Sequence, residues 1–486
     1  MEKLAIKDLL EGVGGYELKG DDLQLVEGIA IDSRKVKKEF AFIAFKGSSS
    51  DGNEFVSSAI KNGAHVIVSE MWPELLEKDV IYVKVKDGRK AAGVIADNFY
   101  DRPSLKLKCI GITGTNGKTS IATLLYSLFK EMGYRVGLIS TIEILVNEEK
   151  WKTELTTPDV VSLHKVTRQM VDEGCSHVFM EVSSHAIDQN RIAGLRFDGG
   201  VFTNITHDHL DYHGDFKSYV KVKQSFFSEL SQDSFALTNE DDKNGLVMTQ
   251  NTKARRLGYS ARVLTDYKLK VLSEEKIGMH LEVNGHKFLT RLAGRYNAYN
   301  LTAVYAVARE LLDIEEDVLI EKLSGLYGAK GRMEIVSMTP RVIVDYAHTP
   351  DALKNVLETL KASKGNGRLI CVVGCGGDRD RLKRPEMARI SLQESDMVII
   401  TSDNPRSEDP QIILDDMREG VDGDDISRML EIVDRKAAIK TAVALSKKED
   451  TILIAGKGHE EYQEVNGVKH FFSDQQIVKD ILSKDI

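Results

Sequence analysis

The sequence predicts an α/β protein of three domains, on three observations. Its 486 residues are more than a single hydrophobic core usually organises. Short apolar runs repeatedly end in glycine-, proline- or aspartate-rich loops, as buried strands of open parallel sheets do. One such loop, "GTNGKTS" at 114–120, links an apolar strand to a helix of period near 3.6 and then to another strand, which makes a βαβ unit. Boundaries are expected near 107 and 337. They give a small α/β domain (1–107), a central parallel-sheet domain carrying a phosphate loop (108–337) and a Rossmann-like α/β domain (338–486).

Residues 1–107 mix short strands and helices, with turn signals at "KGSSSDGN" and "YDRPS". Buried strands are expected in the middle block at 176–182, 199–205 and 234–239. The last block repeats one pattern four times, in "RVIVDYAHTP", "LICVVGCGG", "DMVIITSDNP" and "TILIAGKGHE". Ligands of open α/β sheets bind beyond the carboxyl ends of strands, so these four loops are expected to converge. Five of the eight prolines fall in this block and stiffen its loops.

Composition excludes several classes. The chain is 42% hydrophobic and 29% charged, with a net charge of -9, which argues against a nucleic-acid surface. No run reaches the 18 or so apolar residues of a membrane span, and the charged start "MEKLAIKDLLEGVGG" does not read as a signal peptide. The four cysteines are scattered without a CxxC pair, so reduced thiols and a cytoplasmic enzyme are expected.

The phosphate loop is the sharpest local signal. Gly114 and Gly117 let the backbone curl around phosphate oxygens, with Thr115, Asn116 and Ser120 completing the segment. Lys118 supplies a cation and Thr119 a hydroxyl for Mg²⁺ at a helix N-terminus. Ile112 stands where the longer GxxxxGK[ST] pattern has its first glycine, so this is a shortened form. Such a loop predicts nucleotide binding but does not separate kinase, motor, switch and ligase. Glu181, at a strand end, could reach a phosphate-bridging Mg²⁺. Three histidines and three aspartates between His207 and Asp215 suggest ligands to a hard cation, while Asp215 also suits a helix N-cap.

Ten segments in order, among them "GITGTNGKTS", "EVSSHA", "DHLDYHGD", "LAGRYNAYN", "DYAHTPDAL", "GCGGDRDRLKRPEM", "DNPRSEDP" and "AGKGHEEYQ", resemble the Mur ligases of peptidoglycan synthesis. The resemblance runs from residue 30 to 476. It is strongest to the branch that adds the third residue to UDP-N-acetylmuramoyl-L-alanyl-D-glutamate. It implies an ATP- and Mg²⁺-dependent ligase of cell wall biogenesis that activates a carboxylate as an acyl phosphate for attack by an amine; a monomer is expected. It also implies that the first domain holds the UDP end of the acceptor through Ser33, Ser48, Ser49 and Ser50. Thr156, Thr157, Ser183, Gln189 and Arg191 match positions that hold the muramoyl-dipeptide, although Leu155 departs from the asparagine frequent in relatives. Lys118, Glu181, His209 and Lys223 are the implied catalytic set. Of these, Glu181 and His209 join Thr119 as Mg²⁺ ligands, and Lys223 is the position carbamylated in relatives. Asn297, Arg332 and His348 are placed at the nucleotide.

The identity of the added amino acid turns on its far end. Meso-diaminopimelate carries a second carboxylate there, for which a planar bidentate donor is suited. Arg406, with Asp403, Asn404, Pro405 and Arg379 nearby in the pattern and Gly456 and Glu460 completing it, predicts diaminopimelate. A lysine-adding relative, a folylpolyglutamate-synthase-like ligase and a phosphate-loop ATPase remain the alternatives at this point.

Overall fold

The structure, a computed structural model, describes residues 3–47, 50–151, 157–275, 278–423 and 425–483. Three principal sheets follow one another along the chain. In the first, strands Glu17–Lys19 (β1), Gly28–Ala30 (β2), Phe40–Ile43 (β3), Ala64–Ser69 (β4) and Ile81–Lys84 (β5) pair in the order β1-β5-β4-β3-β2. Only β1 is antiparallel to its neighbour. Helix Gly88–Phe99 (α1) buries Ala92, Ile95 and Ala96 against this sheet, and Asp87 caps it by accepting from Lys90 N.

The second sheet has eleven strands. They are Lys108–Thr113 (β6), Val136–Ile139 (β7), Ile144–Val146 (β8), Glu149–Trp151 (β9), His177–Glu181 (β10), Gly199–Phe202 (β11), Phe235–Asn239 (β12), Arg255–Ser260 (β13), Tyr267–Glu274 (β14), Met279–Val283 (β15) and His286–Thr290 (β16). The order is β9-β8-β7-β10-β6-β11-β12-β13-β14-β15-β16, and the stretch from β7 to β14 is parallel. Helices Lys118–Glu131 (α2) and Arg295–Leu311 (α5) cover one face, and Val160–Asp172 (α3) and Phe216–Ser228 (α4) the other. Strand alternation feeds both layers: Phe179 packs with α2 and α5, while Val178 and Met180 face α3 and α4. Each fully buried side chain of this kind contributes about 1.5–3 kcal/mol.

The purely parallel middle sheet expected from sequence is therefore extended at both edges by antiparallel hairpins. In one of them Asn284 and Gly285 have φ of 49° and 91°, the conformation of a two-residue hairpin turn.

The third sheet comprises Glu334–Met338 (β17), Arg341–Asp345 (β18), Leu369–Cys375 (β19), Met397–Ser402 (β20), Met429–Glu431 (β21) and Thr451–Ala455 (β22), in the order β17-β18-β22-β19-β20-β21. Helices Pro350–Ser363 (α6), Lys383–Glu394 (α7), Pro410–Arg418 (α8), Arg435–Leu445 (α9) and Asp474–Leu482 (α10) cover its two faces. Strands β18, β22, β19 and β20 are adjacent and parallel, so the four expected loops emerge side by side. A small hairpin, Tyr462–Val465 (β23) with Val468–Phe471 (β24), projects beside them. Among the described residues no helix is long and apolar enough to cross a membrane.

Candidate active site

The carboxyl ends of strands from the second and third sheets face one another across a cavity of about 770 Å³. The phosphate loop forms one wall. Gly114 (φ 151°) and Gly117 (φ 89°) hold conformations other residues rarely adopt; a Cβ on Gly114 would lie 1.9 Å from Thr203 Oγ1. Asn204 braces the loop, its carbonyl accepting from Thr115 N (2.8 Å) and its Oδ1 from Asn116 N (2.9 Å). Among the described residues no side chain caps α2, which leaves its first-turn N–H groups open to an anion.

Lys118 is half-buried and donates to the carbonyls of Gly114 (2.9 Å) and Thr115 (2.7 Å), and desolvation pushes its pKa down. Lys223, on α4, is 1% exposed and donates to Gly114 O at 2.9 Å. Burial, reinforced by the charge of Lys118, drives the Lys223 pKa well below the ordinary value. Glu181 ends β10 fully buried, and its carboxylate accepts from the N–H (2.8 Å) and hydroxyl (3.2 Å) of Thr141. Thr119 Oγ1 accepts from Arg332 Nη2 at 3.2 Å.

The histidine-rich segment divides: His207 turns away, while the rings of His209 and His213 both pack against that of His185, their centres 4.9 and 5.7 Å from its own. His207 points to Asp380 across the cavity (3.6 Å), His209 lies 3.4 Å from Asp208, and His213 Nε2 meets Ser184 Oγ at 3.0 Å. Asp215 is the N-cap of α4, accepting from Ser218 N at 2.8 Å. Partial desolvation lowers the His209 pKa to about 4 against the opposing charge of Asp208, which favours the neutral imidazole a metal requires. No group of three or more His, Cys, Asp or Glu is poised to hold a metal by itself among the described residues. Thr119, Glu181 and His209 nevertheless line the same cavity and offer donors that would suit a hard cation.

Asn297 and Ser120 line a second cavity of about 1020 Å³ that shares Asn116, Gly117, Arg332 and His348 with the first. Asn297 Nδ2 donates to Ala293 O and its Oδ1 accepts from Asn300, which fixes the start of α5. His348 bonds Tyr346 O through Nδ1 (2.8 Å), and burial lowers its pKa to about 4. Two contacts tie the phosphate loop to the third sheet: the Arg332–Thr119 bond and Asn116 Nδ2 donating to Asp351 at 2.9 Å.

Thr157, Ser183 and Arg191 line the first cavity beside Glu181. Arg191 donates to Thr157 O (3.0 Å) and to Gln189 Oε1, so Gln189 supports the arginine from behind. Ser183 caps the short helix Ser184–Asp188 by accepting from Ala186 N. Ser33 opens the 3-10 helix Ser33–Lys35 and Ser50 sits in a loop after β3, and neither lines either cavity. Ser48, Ser49 and Thr156 lie outside the described residues.

Arg379, Asp403, Asn404, Arg406, Gly456 and Glu460 line the opposite wall. Arg406 (φ 52°) donates to Gly377 O at 2.6 Å and does not bond its neighbours Glu408 and Asp409. Pro405 stays off the cavity, its carbonyl accepting from Glu408 N. Asn404 Nδ2 donates to Glu460 (2.9 Å), and burial with the charge of Asp403 raises the Glu460 pKa. Lys457, fully buried, bonds Asn404 Oδ1 (2.9 Å) and Glu460 (3.2 Å) and lies 3.5 Å from Asp403. Sequence reasoning missed Lys457, Asp351 and Lys383, all of which line one of the cavities or bond a residue that does. Lys457 was the most findable, a lysine between two glycines at a strand end.

Fold and cavity together define a three-domain α/β protein with a phosphate loop facing a second set of loop ends. Family models match most of it: "Mur ligase family, catalytic domain" at 25–100, "Mur ligase middle domain" at 112–308 and "Mur ligase, glutamate ligase domain" at 331–458. The chain belongs to the Mur ligase family. It is 52% identical over 482 residues to the UDP-N-acetylmuramoyl-L-alanyl-D-glutamate--2,6-diaminopimelate ligase of Cytophaga hutchinsonii, covering 99% of each chain. A solved structure of a ligase of that same name is 31% identical, with full coverage of both chains and a TM-score of 0.70. The MurF ligase of Thermotoga maritima in complex with ADP shares the fold (TM-score 0.63, 18% identity, 94% and 98% coverage).

Proposed function

We propose that the protein joins meso-diaminopimelate to the γ-carboxylate of the D-glutamate in UDP-N-acetylmuramoyl-L-alanyl-D-glutamate, using ATP. The observation that carries this reading is the single cavity, with the phosphate loop at one end and Arg406 at the other. The γ-carboxylate oxygen attacks the γ-phosphorus of ATP and the bond to ADP breaks, giving an acyl phosphate. The amine nitrogen then attacks the acyl carbon, and phosphate leaves as the amide forms and the nitrogen loses a proton.

Both first reactants are anions, so the site must screen charge and hold them in line. Lys118 and the open N-terminus of α2 take the phosphates. Arg191 sits where the dipeptide carboxylates need a cation. Thr119, Glu181 and His209 would hold Mg²⁺, which when bound neutralises charge on the phosphoryl oxygens. Lys223, buried and shifted toward its neutral form, is an amine able to take up CO2 as a carbamate and so become an anionic ligand. Asn297, Arg332 and His348 frame the nucleoside. Arg406 and Arg379 receive the distal carboxylate of diaminopimelate, and Glu460 its ammonium.

The first two sheets each fall within one segment of a division near 107 and 337, whereas the third sheet opens at Glu334, a few residues ahead of the second boundary. A monomer in the cytoplasm, where ATP and nucleotide sugars occur, fits this chemistry and the four buried, unpaired cysteines. The test is an amino-acid panel with ATP and the acceptor, read by mass spectrometry. Diaminopimelate addition that Arg406→Ala abolishes supports the reading, and a preference for lysine sinks it. Phosphate release that needs neither acceptor nor amino acid would point to an ATPase instead.

A further inference from the structure

The loops after β19 (376–380) and β20 (403–409) are laced together more tightly than strand ends require. Gly377 N donates to Asn404 O at 2.9 Å, and a Cβ on Gly377 would lie 1.9 Å from Pro405 O. Asp378 accepts from Ser407 Oγ (2.7 Å) and Ser407 N (3.2 Å), while Asp378 N donates back to Glu408 at 2.6 Å. Behind both loops lies Arg384, with none of its side chain exposed. It donates to both Glu408 oxygens (3.0 and 2.7 Å), to Gly376 O (3.3 Å) and to Asp416 (2.7 Å). Asp378 and Arg406 both have φ of 52°, a region non-glycine residues occupy only when their surroundings hold them there. On its other side Arg406 is pinned by main chain, its N–H to Glu464 O and its carbonyl to Asn466 N.

We propose that Arg384, Glu408, Ser407 and Asp378 are positioning residues that set Arg406 and Arg379 for the distal carboxylate of the incoming amino acid. This rests on the substrate reading above. A buried ion pair is a weak source of stability, since apolar residues of similar volume often replace one without loss. What the Arg384–Glu408 pair supplies is a fixed distance between the two loop tips that carry the selecting arginines. Bidentate recognition tolerates little error, and a misplacement of about 1 Å costs on the order of 100-fold. Asp409 has a separate task, capping α8 by accepting from Gln411 N at 2.8 Å.

The experiment measures KM for diaminopimelate, ATP and acceptor, and the diaminopimelate-to-lysine preference, in wild type, Glu408→Gln and Ser407→Ala. Glu408→Gln should raise the diaminopimelate KM about tenfold and Ser407→Ala about threefold, with kcat, the other two KM values and lysine turnover nearly unchanged. A merely structural role would move all three KM values together. The proposal is overturned if the diaminopimelate KM is unchanged in the folded variants, or if all three constants rise equally. Should Glu408→Gln fail to fold, Ser407→Ala, which leaves the buried pair intact, decides by the same criteria. Wild type that adds lysine and not diaminopimelate would refute the substrate reading itself, a result distinct from an active wild type with indifferent variants.

Discussion

Arg332 Nη2 donates to Thr119 Oγ1 at 3.2 Å, joining the first turn of the phosphate-loop helix to the connection that leads into the third sheet. The same guanidinium lies 4.5 Å from the centre of the Tyr346 ring, so it is held between a hydroxyl and an aromatic face. Arg332→Ala should lower kcat/KM for ATP about 100-fold with little change in thermal unfolding. Arg332→Lys should recover little of it, because an ammonium lacks the planar stack. Steady-state kinetics with saturating acceptor and diaminopimelate measure both.

Lys118 donates to two loop carbonyls and, among the described residues, has no carboxylate bonded to it, so its charge is available to the phosphate site. Lys118→Ala should reduce acceptor-dependent phosphate release by about 100-fold or more. Far-UV circular dichroism should stay that of wild type.

Glu408 is held near 2, against 4.5 for a free glutamate, chiefly by its hydrogen bonds to Arg384. A depressed carboxylate stabilises the fold when ionised. Its contribution is fully present above pH 4.5 and disappears as pH falls through 2. Its side chain is 22% exposed, so screening reduces the effect. Glu408→Gln should cost on the order of 1–2 kcal/mol at neutral pH. The gap in urea midpoint between wild type and variant should narrow as pH is lowered below 4.5.

Arg435 and Asp474 form an ion pair with neither side chain exposed, and Arg435 also donates to Ala455 O at the end of β22. Removing one partner strands a buried charge, so Asp474→Asn should destabilise the third domain by about 3–5 kcal/mol. Replacing both, Arg435→Met with Asp474→Leu, should cost much less. Chemical denaturation of the two variants checks this.

The parallel strands were legible because their apolar runs end in loops that only a strand end needs, and the convergence of four such loops followed from topology. The phosphate loop was legible for the same local reason. Two hairpin turns, Asn284–Gly285 and Asn466–Gly467, carried a readable signal that was overlooked, and with them went the antiparallel edge of the second sheet and the arm beside Arg406. Spacing does not tell where side chains point: of the grouped histidines, His207 turns away to Asp380, while His209 and His213 meet at His185, outside the segment itself. Arg384 left no mark at all. A buried arginine is spelled like an exposed one, and its partners Glu408 and Asp416 lie 24 and 32 residues away.

The cavity between the second and third sheets has its two proposed recognition ends on separate bodies: the loop Gly114–Thr119 for phosphates, Arg406 and Arg379 for a carboxylate. A molecule long enough to satisfy both would act as an adhesive, fastening the two bodies through contacts that neither makes alone. Half of such a molecule would bind one wall and leave the other untouched. Inhibitors for this site are therefore better designed as bridges than as plugs.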